Sequence, residues 1–182
     1  MTDNFVTAGK GLQLMFWGAI AALVGAFIPF LGGIIIIAAG LVSLYGLYIA
    51  MPTHENFKMA MYMEIAAVVV SILGAIFSKG ILGGIMDIAS AVVSFLILYY
   101  VCTAAAALLT AKGDRVQADK ANLIITLNLV CTVVSVVCVL VGWIPLVNIL
   151  AWAVAVISGI VAIVATVLQL IFYYKSSKSL LA

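Results

Sequence analysis

Six apolar stretches follow one another along the chain, separated by short groups of proline, glycine and polar residues. The first goes from Gly11 to about Ile28 and breaks at Pro29-Phe30-Leu31-Gly32-Gly33, where proline and glycine permit a tight reversal. The second runs from Ile34 to Met51. Pro52-Thr53-His54-Glu55-Asn56 is then the first polar stretch, and a third apolar run extends from about Phe57 to Phe77. Ser78-Lys79-Gly80 turns the chain into a fourth run, Ile81 to Ala111, which exceeds what a bilayer needs. It must tilt, or project its Ala104-Ala105-Ala106-Ala107 end beyond the lipid. A second polar loop from Lys112 to Lys120 precedes the fifth run, about Ala121 to Val141. Gly142-Trp143-Ile144-Pro145 turns into the sixth, about Leu146 to Tyr174, and a short basic tail closes the sequence.

Runs of this length without strict in–out alternation are helices rather than barrel strands, because backbone groups in lipid must bond within their own segment. The pattern predicts an all-α integral membrane protein: six transmembrane helices forming three tandem helical hairpins. One membrane domain covers 1–182, with units of about 1–52, 53–112 and 113–182.

An internal repeat supports that division. Shifting the chain by 51 residues pairs LGGIIIIAAGLVSLYGLY (Leu31 to Tyr48) with LGGIMDIASAVVSFLILY (Leu82 to Tyr99), and ten of the eighteen positions are identical. Roughly two would match by chance in so apolar a composition. The third unit keeps mainly its turn, with Trp143-Ile144-Pro145-Leu146 resembling Phe27-Ile28-Pro29-Phe30. Units of two spans share one orientation, so the three hairpins would be related by a pseudo-threefold axis along the membrane normal.

Composition excludes the soluble alternatives. Apolar residues make up 68% of the 182 positions and charged ones 8%, where a soluble domain carries about 25% charge. No separate catalytic domain, nucleic-acid-binding tail or sizeable extramembrane module fits in what remains. Asp3 precedes Lys10 and no A-x-A site is evident, so the first segment reads as a retained span.

Charge position sets the expected orientation. Lys10, Lys58, Lys112, Arg115, Lys120, Lys175 and Lys178 fall on the side of the termini and polar loops, against Lys79 alone on the other. The positive-inside rule then makes both termini cytoplasmic in a cell membrane. Tyr45, Tyr48, Tyr62, Tyr173 and Tyr174 are expected at that interface, and Trp143 at the opposite one.

Catalysis finds little support, and no enzyme activity is expected. His54 is the single histidine, so a Ser/His/Asp triad or a multi-histidine metal site is unavailable. Cys102, Cys131 and Cys138 lie in apolar runs without CxxC spacing and read as packing residues. No metal or cofactor is implied. The glycines at 32, 33, 80, 83 and 84 cluster at hairpin turns, and Gly18, Ala22 and Ala26 offer a small-xxx-small face for close helix approach.

Of the fourteen charges, Glu64 and Asp87 alone are unexplained by topology. Acids within spans are costly and usually face a bundle interior or a wet cavity. Helical spacing links Glu64 to Ser71, Asn128 to Thr132 and Ser135, and Asp87 to Ser90 and Ser94. These eight residues are the candidate polar pathway, with Asn148 and Gln169 as additions. Gln13 and Asn128 occupy the repeat positions of Glu64, so the three would form one polar layer. Ile36 takes the place of Asp87 in the first repeat, which keeps that acid outside the shared framework. Serine and threonine also bond back to their own helix or glue helices together. Three functions are compatible with this pattern. The plainest is a structural or complex-subunit role, in which the partners are the bilayer and other membrane subunits or further copies of the chain. A channel or secondary transporter for a proton, cation or small solute would use Glu64 and Asp87. A substrate-capturing subunit of an energy-coupled vitamin importer has a similar length and span count.

Overall fold

The computed structural model describes residues 2–28, 31–77, 80–142 and 148–182. They form α1 (Thr2–Gly25), α2 (Gly32–Ala50), α3 (Glu55–Ile76), α4 (Gly80–Lys112), α5 (Arg115–Gly142) and α6 (Asn148–Leu181). A single 3-10 turn at Met51–Thr53 joins α2 to α3. Each of the six contains a stretch long and apolar enough to cross a membrane, so the chain is an all-α polytopic membrane protein. The expected reversals at Pro29 and Phe30, at Ser78 and Lys79, and from Trp143 to Pro145 lie outside the described residues, as does the interfacial placement of Trp143.

The polar stretches are shorter as loops than as sequence. Arg115 to Lys120 belongs to α5, because α4 stops on a Schellman turn and the new helix starts at once. Gly113 adopts φ +95°, its N–H donating to the Thr110 carbonyl and that of Asp114 to the Leu109 carbonyl. Asp114 then caps α5, its Oδ1 accepting from the Gln117 N–H at 3.1 Å. At the other polar stretch the His54 ring caps α3, Nδ1 accepting from the Asn56 N–H at 3.1 Å. The basic tail is helical too: α6 continues to Leu181, with Ser176, Ser177 and Leu180 buried.

Neighbours in sequence are neighbours in space, and α6 closes the ring against α1. The ring is unevenly sealed. Helices α1 and α2 pack intimately along most of their length, whereas α2 and α3 touch only sparsely. Glycines at seven-residue spacing explain the tight seam. Gly11, Gly18 and Gly25 on α1 face Gly46, Ala39 and Gly32 on α2 in antiparallel order; a Cβ on Gly11 would fall 2.6 Å from the Gly46 carbonyl oxygen. The seam therefore shares only Gly18 with the anticipated face, since Ala22 is half-buried and Ala26 exposed. A seven-residue repeat holds one stripe against a partner crossing at a shallow angle, whereas a four-residue step drifts off it.

Burial concentrates at one end of the bundle. A single cluster joins Ala8 and Leu12 of α1, Leu47 of α2, Phe57 of α3, Val101 to Leu109 of α4, Ile124 of α5, and Phe172 and Leu180 of α6. These are the helix ends that carry the termini and the two polar connections. Hydrogen bonds lock the same end: Lys112 Nζ donates to the Ser179 and Leu180 carbonyls, and the Ser179 hydroxyl to Asp114 Oδ2 at 2.7 Å. Helices α4 and α6, 33 and 34 residues long, reach about 50 Å each, beyond a hydrocarbon core of about 30 Å. Toward the other end the helices leave Ile37, Leu41, Ile72, Val133 and Ile163 exposed.

Candidate functional site

Immediately above the packed end lies a cavity of about 450 Å³ between α3, α4, α5 and α6. Helix α3 contributes Glu64 and Ala67. Helix α4 contributes Ala91, Ser94, Phe95, Ile97 and Leu98, and α5 contributes Asn128, Cys131, Thr132 and Ser135. Gln169 and Tyr173 of α6 complete the wall. The contributions follow helical geometry: residues 128, 131, 132 and 135 form one stripe of α5, and 91, 94, 95 and 98 one stripe of α4. Leu98 and Tyr173 also belong to the buried cluster, so the apolar plug is the cavity's floor.

Five of the eight candidate pathway residues meet here: Glu64, Ser94, Asn128, Thr132 and Ser135. The other three do not. Ser71 turns to a separate fissure between α2 and α3. Asp87 is exposed on α4 four residues before Ala91, and Ser90 is half-buried off the lining stripe. Among the described residues, Glu64 lines the cavity and Asp87 lies exposed on α4 beyond it. Gln13 is exposed on α1 and takes no part, so the polar layer of three repeat positions does not assemble. Gln169 joins the lining as anticipated for it, while Asn148 opens α6. Tyr173, expected at the membrane interface, is instead buried, and its hydroxyl accepts from Gln169 Nε2 at 3.0 Å. Tyr45, Tyr48, Tyr62 and Tyr174 are exposed, Tyr174 lying under the Lys178 ammonium at 4.9 Å.

Sequence reasoning missed Cys131 and Tyr173 as lining groups, though each was within its reach. Cys131 falls between Asn128 and Thr132 on their stripe, and Tyr173 lies four residues beyond Gln169.

The hydrogen bonds decide what the cavity can hold. Asn128 Nδ2 donates to the Ile124 carbonyl at 2.9 Å, and the Thr132 hydroxyl donates to the Asn128 carbonyl at 2.9 Å. With one Nε2 proton of Gln169 engaged by Tyr173, the amides of Asn128 and Gln169 each keep, among the described residues, an acceptor oxygen and a second N–H, and the Ser94, Ser135 and Tyr173 hydroxyls can both donate and accept. Glu64 is half-buried, with Tyr173 near it and no cation beside it among the described residues. No Lys, Arg or His is among the described lining residues. Among the described residues, no group of three or more His, Cys, Asp or Glu is placed to hold a metal ion.

Fold and cavity together define a class: a small all-α polytopic membrane protein of six helices, with a polar-lined cavity above its packed end among the described residues. No protein-family model, curated protein or solved structure matches the chain.

Proposed function

We propose that the protein binds a small cation inside the membrane and carries it, with Glu64 as the charge partner and an ammonium bearing N–H donors as the best-matched guest. The observation that carries this reading is the lone carboxylate, with no Lys, Arg or His among the described lining residues, in a cavity lined by amides and hydroxyls. An acid without a partner in a span is expensive to maintain, and a guest cation supplies the missing partner. The volume of about 450 Å³ falls within the range of about 300–1,000 Å³ used by small-molecule sites. The apolar plug beneath it favours a carrier, open to one side at a time, over an open channel. No catalytic role is assigned.

Topology belongs to the same reading. A cytoplasmic position for both termini is supported by Lys10, Lys58, Lys112, Arg115, Lys120, Lys175 and Lys178, all exposed on helix segments at the packed end. Three hairpins about a pseudo-threefold axis is the arrangement the internal repeat favours, with α1 and α2 as its tightest unit.

Isothermal titration of the purified protein with methylammonium, ethylammonium and tetramethylammonium tests the proposal. Wild type and Asp87→Asn should bind alike, and Glu64→Gln should weaken binding by at least about tenfold, because it leaves the guest charge unpaired. Absence of binding by all three ions, or equal affinity in Glu64→Gln, would return the protein to a structural or subunit role. The exposed apolar faces of α2, α3 and α5 are what favour that second reading.

A further inference from the structure

The geometry points to an amphiphilic guest: a primary ammonium whose head sits at Glu64 and whose alkyl chain lies in the fissure between α2 and α3. This rests on the cation-binding reading above and narrows it to a substrate class. The fissure is a separate void of about 640 Å³, walled by Ile37, Gly40 and Leu41 of α2 and by Val68, Ser71 and Ile72 of α3. It is almost wholly apolar, and it lies where the ring of helices is least sealed. Glu64 and Ala67 line both the fissure and the polar cavity. One carboxylate therefore stands at the junction of a hydrogen-bonding chamber and a hydrophobic slot.

That junction selects the occupant by chemistry. A compact inorganic ion would use the chamber and leave the slot without purpose. A phospholipid would bring a phosphate to Glu64, and no Lys, Arg or His is among the described residues lining either void to receive it. An alkylammonium matches both halves, with charge and N–H donors for Glu64, Asn128 and Gln169, and methylenes for the slot. A lateral route between α2 and α3 is open to it, because that seam is the most sparsely packed in the ring.

Gly40 supplies the test. It faces the fissure, and a Cβ built there meets nothing within 4 Å, so a larger residue at this position fills the slot without disturbing a packed contact. Titration with the n-alkylammonium series from ethyl to hexyl, whose members dissolve in water, reads the slot directly. In wild type the affinity should rise about two- to fourfold per methylene as the chain leaves water. In Gly40→Phe ethylammonium should bind as in wild type while the rise with chain length disappears, and Gly40→Leu should flatten it partly. Thermal unfolding close to wild type confirms that both variants are folded. A flat series in wild type, or an unchanged slope in both Gly40 variants, would overturn the amphiphile inference while leaving the cation site standing. Failure of every member to bind wild type would instead remove the cation site itself.

Discussion

The two ends of this bundle are built from similar residues yet pack differently. At the end that bears the termini, Phe57, Val101, Cys102, Leu109 and Phe172 are fully buried. In the opposite half Ile72 and Val133 are more than half exposed, at 57% and 53%. Lipid chains are as apolar as leucine, so helices inside the membrane gain nothing by hiding apolar surface from them. At the packed end α4 and α6 supply much of the core and are tied together through Lys112, Asp114 and Ser179. The α1–α2 seam is the exception that supports the rule: it holds inside the membrane because glycine spacing allows backbones to touch. Packing, more than composition, separates the collar from the loosely walled chamber.

Substitution tests that contrast most strongly. Phe172→Ala, in the packed end, should cost about 3–5 kcal/mol of unfolding free energy, the usual loss for emptying a large core site. Val133→Ala, on an exposed face of α5, should cost less than about 0.5 kcal/mol. Equilibrium unfolding of both variants in one detergent checks the pair, and equal losses would mean that the open half is as tightly packed as the collar.

A smaller effect concerns how the collar is held shut. The Asp114 carboxyl is kept below its ordinary value of 3.8 chiefly by the Ser179 hydroxyl, then by the Gln117 backbone N–H and the Lys120 charge. A carboxyl that is more acidic in the folded state lends stability that is complete above about pH 4 and fades as the pH falls through the folded value. Asp114→Ala should cost about 0.5–2 kcal/mol at neutral pH through loss of the cap. It should also remove the collar's contribution to acid sensitivity, read as a shallower fall in unfolding temperature between pH 5 and pH 3. An identical acid profile in the variant would show that this cap does not hold the collar.

Six spans were legible because hydropathy reports length, and length is what a bilayer demands. The loops were overestimated because Arg115, Gln117 and Lys120 are polar without being helix breakers. Their helix ends outside the lipid, where polarity says nothing about backbone conformation. The glycine seam was misread by its spacing, since a four-residue step looks like a contact stripe until a partner at a shallow angle imposes seven. Glu64, Asn128, Thr132, Ser135 and Ser94 were found from helical periodicity alone. Ser71, Ser90 and Asp87 do not line that cavity, because the rotation of each helix is set by its neighbours and an apolar lipid-facing stripe leaves no mark of it. The fissure had no signal in the sequence: it exists through a contact that α2 and α3 do not make.

The proposed cation chamber sits directly on an apolar plug, and the native cysteines report on both. Cys131 lines the chamber and Cys102 lies buried in the plug. A small water-soluble methanethiosulfonate, with modification rates read peptide by peptide by mass spectrometry, should modify Cys131 and spare Cys102. Ethylammonium should slow the reaction at Cys131 in wild type and leave it unchanged in Glu64→Gln. Equal labelling of Cys102 and Cys131, or a Cys131 rate indifferent to ethylammonium in the wild-type protein, would contradict the account.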